Sequence, residues 1–237
     1  MKNFNMGTTV IAFAFLSSFS LTACGGNSGS NAAPTTIDSS NKSSLNTGRG
    51  NANAEKTSLT SDEISGLLFM REEEELARDL YLDIYETRNS ELQIFKNISD
   101  NAETKHAKAI RQLLKKYDIE DPSTGERNAY TDPELQYLYD QLFSIAIGSD
   151  DLAALRVGAL VEETDIGDIK MHIDNVSSEH QDIISTYENL LCGSRNHLRA
   201  FAGQIENITG ETYVTQVVEL DSEVRAILSS NNERCGQ

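Results

Sequence analysis

The sequence predicts an all-α fold: four long helices in a bundle, with a long connection between the second and third that carries an extra short helix. Three observations predict it. Beyond residue 58, apolar residues recur at helical spacing with little β-branched alternation. The 237 residues contain only three prolines, so few positions break a helix. Finally, the stretch "NAETKHAKAI" sets Glu103 and His106 three positions apart, which puts both on one face of a helix about one turn apart.

The first 23 residues read as a targeting segment. Lys2 is followed by the short apolar run "VIAFAFLSSFSLTA", the layout of a secretory signal and short for a membrane-spanning helix. The ending "LTAC", with Gly25 and Gly26 next, resembles the lipobox of bacterial lipoproteins. That resemblance implies cleavage before Cys24, lipid modification of Cys24 and a place at the bacterial cell envelope, in the outer membrane, at the periplasmic face or on the cell surface. Residues 24–58 are rich in Asn, Ser and Gly and hold too little apolar surface to offset ordering entropy, so they read as a tether.

Residues 59–210 carry the helices. The first opens at a Ser61–Asp62 cap signal and runs to about Arg88. A second covers about Gln93 to Tyr117, and "DIEDPSTGERNAYTDP" is a polar connection with Pro133 opening a short helix to Ile147. A third follows Ser149, with acidic residues in its first turn, and reaches Asn175. The fourth spans about Ser178 to Ile208, with Gly210 just beyond. Residues 211–237 form an arm ending in a short helix.

The arrangement of four long helices with an extended second-to-third connection is that of ferritin-like bundles, in which ligands project inward from facing helices. At about 100° per residue, Phe95, Ile98, Ala102, Ala109, Ile110 and Leu113 share one face, with His106 near its middle and Glu103 toward its flank. On the third long helix Glu162 and Glu163 straddle the apolar face. On the fourth His197 sits within it, and Glu188 lies opposite. On the first, Glu73 falls inside the face and Glu74 at its edge beside Tyr81, while Glu72 and Glu75 read as solvated. His172 and His180 have no supporting pattern and read as surface residues. Inward groups on four helices suit a metal site; a hydrogen-bonded, metal-free polar network is the alternative.

Five blocks in order, "FMREEEELARDLY", "NISDNAETKHAKAIRQLLKKY", "TDPELQYLYDQL", "ALRVGALVEETDIGDI" and "YENLLCGSRNHLRAF", resemble a ferritin-like family known only as a domain of unknown function, DUF2202. The resemblance covers about Leu67 to Ile208 and implies a ferritin-like four-helix fold but no activity. More distantly, Glu103, His106, Ala107 and Lys108 resemble the E-x-x-H-A-K of rubrerythrin, and Glu74, Ala77, Arg78 and Tyr81 its first-helix E-x-x-A-R-x-x-Y. That likeness favours Glu74 over Glu73 as ligand and gives Tyr81 the role of outer-shell donor or one-electron relay. The sequence departs from the di-iron pattern at Ser194, where a second Glu-x-x-His would begin.

The expected metal ligands are therefore Glu74, Glu103, His106, Glu162 or Glu163, and His197, holding one or two ions. Carboxylates and imidazoles suit iron first, with manganese or zinc as alternatives. Oxidation of Fe(II) or reduction of a peroxide is the chemistry that fold analogy suggests, with a metal-free envelope module for protein interaction or stress protection as the competing reading. No C-x-x-C pair is present, so a redox partner would have to be a separate molecule. The formal net charge of −17 repels a phosphate backbone and argues against nucleic acid, while a membrane through the lipid and a second copy of the chain are the partners expected. An exported location permits a Cys192–Cys235 disulfide, which spacing does not demand.

Overall fold

A computed structural model describes residues 58–88 and 92–236. The signal, Cys24 and almost all of the tether lie outside the described residues. Within them the chain is helical, with no strand: α1 (Ser61–Thr87), α2 (Gln93–Ile98), a π-helical turn (Ser99–Glu103), α3 (Thr104–Tyr117), α4 (Pro133–Gly148), α5 (Asp151–Asn175), α6 (Gln181–Thr209), a 3-10 turn (Val218–Leu220) and α7 (Asp221–Leu228). Helices α1, α3, α5 and α6 surround a core of Leu76, Leu80, Ile84, Ile110, Leu155, Ile166, Leu198 and Phe201, all buried.

The ends of α1 differ from the sequence reading in an instructive way. Its N-cap is Thr60, not Ser61: the Thr60 hydroxyl accepts from the Glu63 N–H, and the Glu63 carboxylate accepts from the Thr60 N–H at 2.7 Å. The same carboxylate accepts from the Ser177 N–H at 2.9 Å and lies 2.6 Å from His180 Nδ1. His180, expected on the surface, is thus buried where α6 begins, and it ties that corner to α1. His172 is also drawn inward: it packs beside Phe69 and against Gly66, where a Cβ would come within 2.7 Å of its Nδ1.

The acidic run of α1 is not solvated either. Glu72 is buried and accepts the backbone N–H groups of Thr131 and Asp132, the second at 2.9 Å. Asp79 accepts the Asn128 N–H at 3.0 Å, and Arg71 reaches Asp121. The polar connection between α3 and α4 is therefore laced onto the acidic face of α1. Its donors replace water, which is why a face that reads as exposed is covered.

The second long segment is not a continuous α-helix. The π turn at Ser99–Glu103 widens it just before the Glu-x-x-His motif. Local hydrogen bonds fit the wider turn: the Thr104 hydroxyl donates to the Ser99 carbonyl at 3.0 Å, and the Ser99 hydroxyl donates to the Arg78 carbonyl at 2.8 Å. An extra residue in the turn breaks the 100° spacing that the helical wheel assumes. Glu103, toward the flank of the wheel but expected with His106 to point into the core, is buried.

After α6 ends at Gly210, the arm returns along α5 and α6. Cys192 and Cys235 are joined by a disulfide, and Glu233 pairs with Arg195 and Arg199. α7 packs Val224 and Ile227 into the core.

Candidate metal centre

Five of the six residues expected as ligands converge. Glu74 of α1, Glu103 at the end of the π turn and His106 of α3 form one group, in which the donor atoms lie within 4.8 Å of one another. Glu103, Glu162 of α5 and His197 of α6 form a second. Glu103 belongs to both, one oxygen to each side: Oε2 lies 3.1 Å from His106 Nδ1, and Oε1 lies 3.0 Å from His197 Nδ1. Glu74 Oε2 is 3.2 Å from His106 Nδ1, and Glu162 Oε2 is 3.4 Å from His197 Nδ1. Both imidazoles thus turn the same nitrogen to the same carboxylate from opposite sides.

Several glycines make room for this. A Cβ at Gly193 on α6 would come within 2.6 Å of His106 Cε1 and Nε2, so the imidazole rests directly on the α6 backbone. A Cβ at Gly158 on α5 would come within 2.4 Å of the Phe201 ring. Phe201 packs with Tyr81 and Phe95, ring centres 5.2–5.7 Å apart, as an apolar wall beside the carboxylates. Tyr81 is buried in that wall and donates from its hydroxyl to Glu162 Oε1 at 2.6 Å. The Gly158 carbonyl lies 3.3 Å from the same hydroxyl, so the residue expected as an outer-shell donor touches a ligand candidate inside the core.

Glu163 is not brought into the cluster. Its carboxylate accepts from the Tyr213 hydroxyl at 2.8 Å and from the backbone N–H groups of Gln216 and Val217 at 2.9 and 2.7 Å, so it anchors the arm. Sequence left Glu162 and Glu163 equivalent; the two point to opposite sides of α5. Glu73 also turns away from Glu74, toward Asp168 on α5, so the edge position of the wheel, not its centre, carries the group that joins the cluster.

Electrostatics of the cluster are dominated by burial. Burial pushes the Glu74 carboxyl up to about 8 despite the adjacent His106. Burial alone would raise Glu103 as well, but the imidazoles of His106 and His197 on its two sides hold it well below the usual carboxylate range. Conversely, burial would lower both histidines, yet Glu74 and Glu103 raise His106, and Glu162 and Glu103 lift His197 to about 10. Protons and a cation would therefore compete for the same donors in this cluster.

Sequence reasoning missed Asp165. It is buried on α5, donor-bonded by the Ser194 hydroxyl of α6, and raised well above its ordinary value by burial and by Glu74 and Glu162. The signal was its place three residues after Glu162, one turn along the same face.

The donor set fits a cation. Glu74 Oε1 and Asp165 Oδ1 are buried without a hydrogen-bond partner. Glu103 Oε1 and His197 Nδ1 are close without hydrogen-bond geometry, as two ligands of one ion would be. Ligand atoms about 3 Å apart are also what adjacent octahedral positions require when metal–ligand bonds are about 2.1 Å.

The family described as Uncharacterized protein domain (DUF2202) matches residues 63–231, and the chain belongs to that family. An uncharacterized protein of Methanocaldococcus jannaschii, MJ0754, is 41% identical over 180 residues, which cover 76% of this chain and 93% of the relative. The crystal structure of that hypothetical protein superposes with a TM-score of 0.69 at 40% identity, covering 75% of this chain and 98% of its own.

Proposed function

We propose that this member of the DUF2202 family is a metal-binding protein with a ferritin-like four-helix frame, anchored at the cell envelope through a lipidated Cys24. It holds two transition-metal ions, iron foremost, between α1, α3, α5 and α6. The observation that carries the reading is Glu103, shared by two ligand groups and flanked by one histidine on each side. Glu74 and His106 complete one position, and Glu162 and His197 the other.

Each residue has a distinct task. Glu103, with one oxygen toward each histidine, would serve both positions and set their spacing. His106 and His197 present neutral Nδ1 atoms once their protons leave. Tyr81 orients Glu162 through its hydroxyl and stands close enough to pass a hydrogen atom or an electron to the centre. The apolar wall of Tyr81, Phe95 and Phe201 keeps water from that side. Iron bound there would supply either Fe(II) oxidation, with dioxygen or a peroxide taking the electrons, or peroxide reduction, with electrons from a separate donor.

Elemental analysis of protein purified without chelator or histidine tag tests the reading. About two iron, manganese or zinc per chain is expected for the wild type, falling to about one in His106→Ala, which leaves Glu162 and His197 in place. No metal after anaerobic reconstitution with Fe(II) would leave the metal-free envelope module as the function. For the anchor, labelled fatty acid should be incorporated by the wild type and not by Cys24→Ser.

A further inference from the structure

The site as described so far is unequal to its own charge. Two divalent cations bring four positive charges, whereas Glu74, Glu103 and Glu162 bring three negative ones. In a dinuclear carboxylate centre of two facing Glu-x-x-His motifs, the fourth carboxylate would stand at position 194, one turn before His197. Position 194 is serine, and it is buried. A buried serine there neither supplies the charge nor fills the volume of a glutamate.

The volume is filled from the neighbouring helix. Asp165 projects from α5 to the Ser194 hydroxyl, which donates to Asp165 Oδ2 and, at 3.0 Å, to the Leu190 carbonyl of its own helix. Asp165 Oδ1 has no hydrogen-bond partner, although the residue is 7% exposed. An ionised carboxylate left so in a protein interior costs several kcal/mol unless a cation or proton joins it. Asp165 stands outside the two groups whose donor atoms lie within 4.8 Å of one another. It is one turn from Glu162 and bonded to Ser194, itself one turn from His197, and Glu74, Glu162 and Glu103 all act on it. The pairs Glu162–Asp165 and Ser194–His197 have the same three-residue spacing on facing helices. A carboxylate thus stands on α5 in the turn after Glu162, facing Ser194 in the turn before His197.

We infer that Asp165 is the fourth carboxylate of the metal centre, supplied from α5 in place of a glutamate on α6, with Ser194 as the residue that positions it. The inference rests on the dinuclear reading above and sharpens it: the site takes two divalent cations and not one. Ser194 fixes one oxygen through its hydroxyl, and the unpartnered Oδ1 is the donor.

The test is a transplant. Asp165→Asn keeps the size and an acceptor for Ser194 but removes the charge. In Asp165→Ala with Ser194→Glu the carboxylate returns to α6, and the heavy atoms removed by one change match those added by the other. The full chain is loaded anaerobically with Fe(II), and separately with Co(II), whose visible spectrum reports coordination. Metal per chain and affinity against a competing chelator are measured. Two ions per chain are expected for the wild type. In Asp165→Asn one ion should be lost or weakened by at least about tenfold, the scale of a lost carboxylate interaction at a metal site. The double variant should regain the second ion, and this recovery also guards against a misfolded single variant. Asp165→Asn binding two ions with wild-type affinity would overturn the inference while leaving the dinuclear reading intact. So would a folded double variant that stays at one ion. A wild type that binds one ion or none would overturn both.

Discussion

Gly193→Ala is the sharpest test of the site's geometry, because it adds a single methyl group to a helix. The new Cβ would lie 2.6 Å from His106 Cε1 and Nε2, and 3.8 Å from His197 Cε1. Ordinary contact needs about 3.5 Å or more, so the His106 ring must retreat by roughly 1 Å. It cannot do so freely, since its Nδ1 is held 3.1 Å from Glu103 and 3.2 Å from Glu74. Overpacking costs about 1–3 kcal/mol, whereas replacing glycine inside a helix returns about 0.5–1 kcal/mol. The metal-free variant should therefore be destabilised by no more than about 2.5 kcal/mol, while metal affinity falls about 10–100-fold as a ligand leaves its place. Gly203→Ala is the internal control, because it lies on the same helix with no atom within 4 Å of the added Cβ. It should gain about 0.5–1 kcal/mol and bind metal as the wild type does. Urea titration followed by circular dichroism gives the stabilities, and chelator competition gives the affinities. Wild-type affinity in Gly193→Ala would refute the placement of His106 against α6, and with it the first ligand group.

Other expectations follow from single contacts. Glu163→Gln should leave metal content unchanged but cost about 2 kcal/mol, because one carboxylate oxygen that serves two backbone N–H groups becomes neutral or a donor; Glu162→Gln should do the reverse, losing metal with little change in metal-free stability. Glu63 is lowered to about 2, since the Thr60 and Ser177 N–H groups and His180 outweigh the effect of its burial. A depressed carboxylate contributes stability that is present above its unfolded value near 4.5 and is lost as pH falls toward 2, about 3 kcal/mol at most. Glu63→Gln should flatten that acid limb in thermal melts from pH 6 to pH 2, and an unchanged limb would remove Glu63 as its source.

The all-helical fold was legible because period, caps and breakers agreed over each long segment. Helix α1 ends near Arg88 and α4 starts at Pro133, as the signals say. Where reading failed, a distant partner decided. Glu72 and His180 look like surface residues until the α3–α4 connection and Glu63 are brought to them. Glu163 looks like a ligand until the arm returns to it from fifty residues away in sequence. The π turn had no sequence signature at all, although the inward direction of Glu103 and His106 that follows it was legible from the helical spacing. Asp165 was hidden for a different reason: the pattern sought a carboxylate before His197, and it stands on the opposite helix.

The buried acids themselves set a final quantitative expectation. Glu74, Glu103, Glu162 and Asp165 are all 7% exposed or less. Packed apolar residues of similar volume would generally make a more stable metal-free core. Such a core is rational if a cation recovers the difference, so metal should appear as folding free energy. At a free concentration one thousand times Kd, a ligand adds about 4 kcal/mol. For a domain spanning residues 57–237 this corresponds to a rise in Tm of roughly 8–16 °C for each ion held, and about twice that for both. Calorimetry with and without Fe(II) under nitrogen, and with Mn(II) or Zn(II), checks it. Glu103→Gln should abolish the rise, because Glu103 serves both positions, whereas Glu74→Gln should retain part of it through Glu162 and His197. The same rise in Glu103→Gln as in wild type would place the ion elsewhere, and no rise with any cation would mean that protons alone balance these carboxylates.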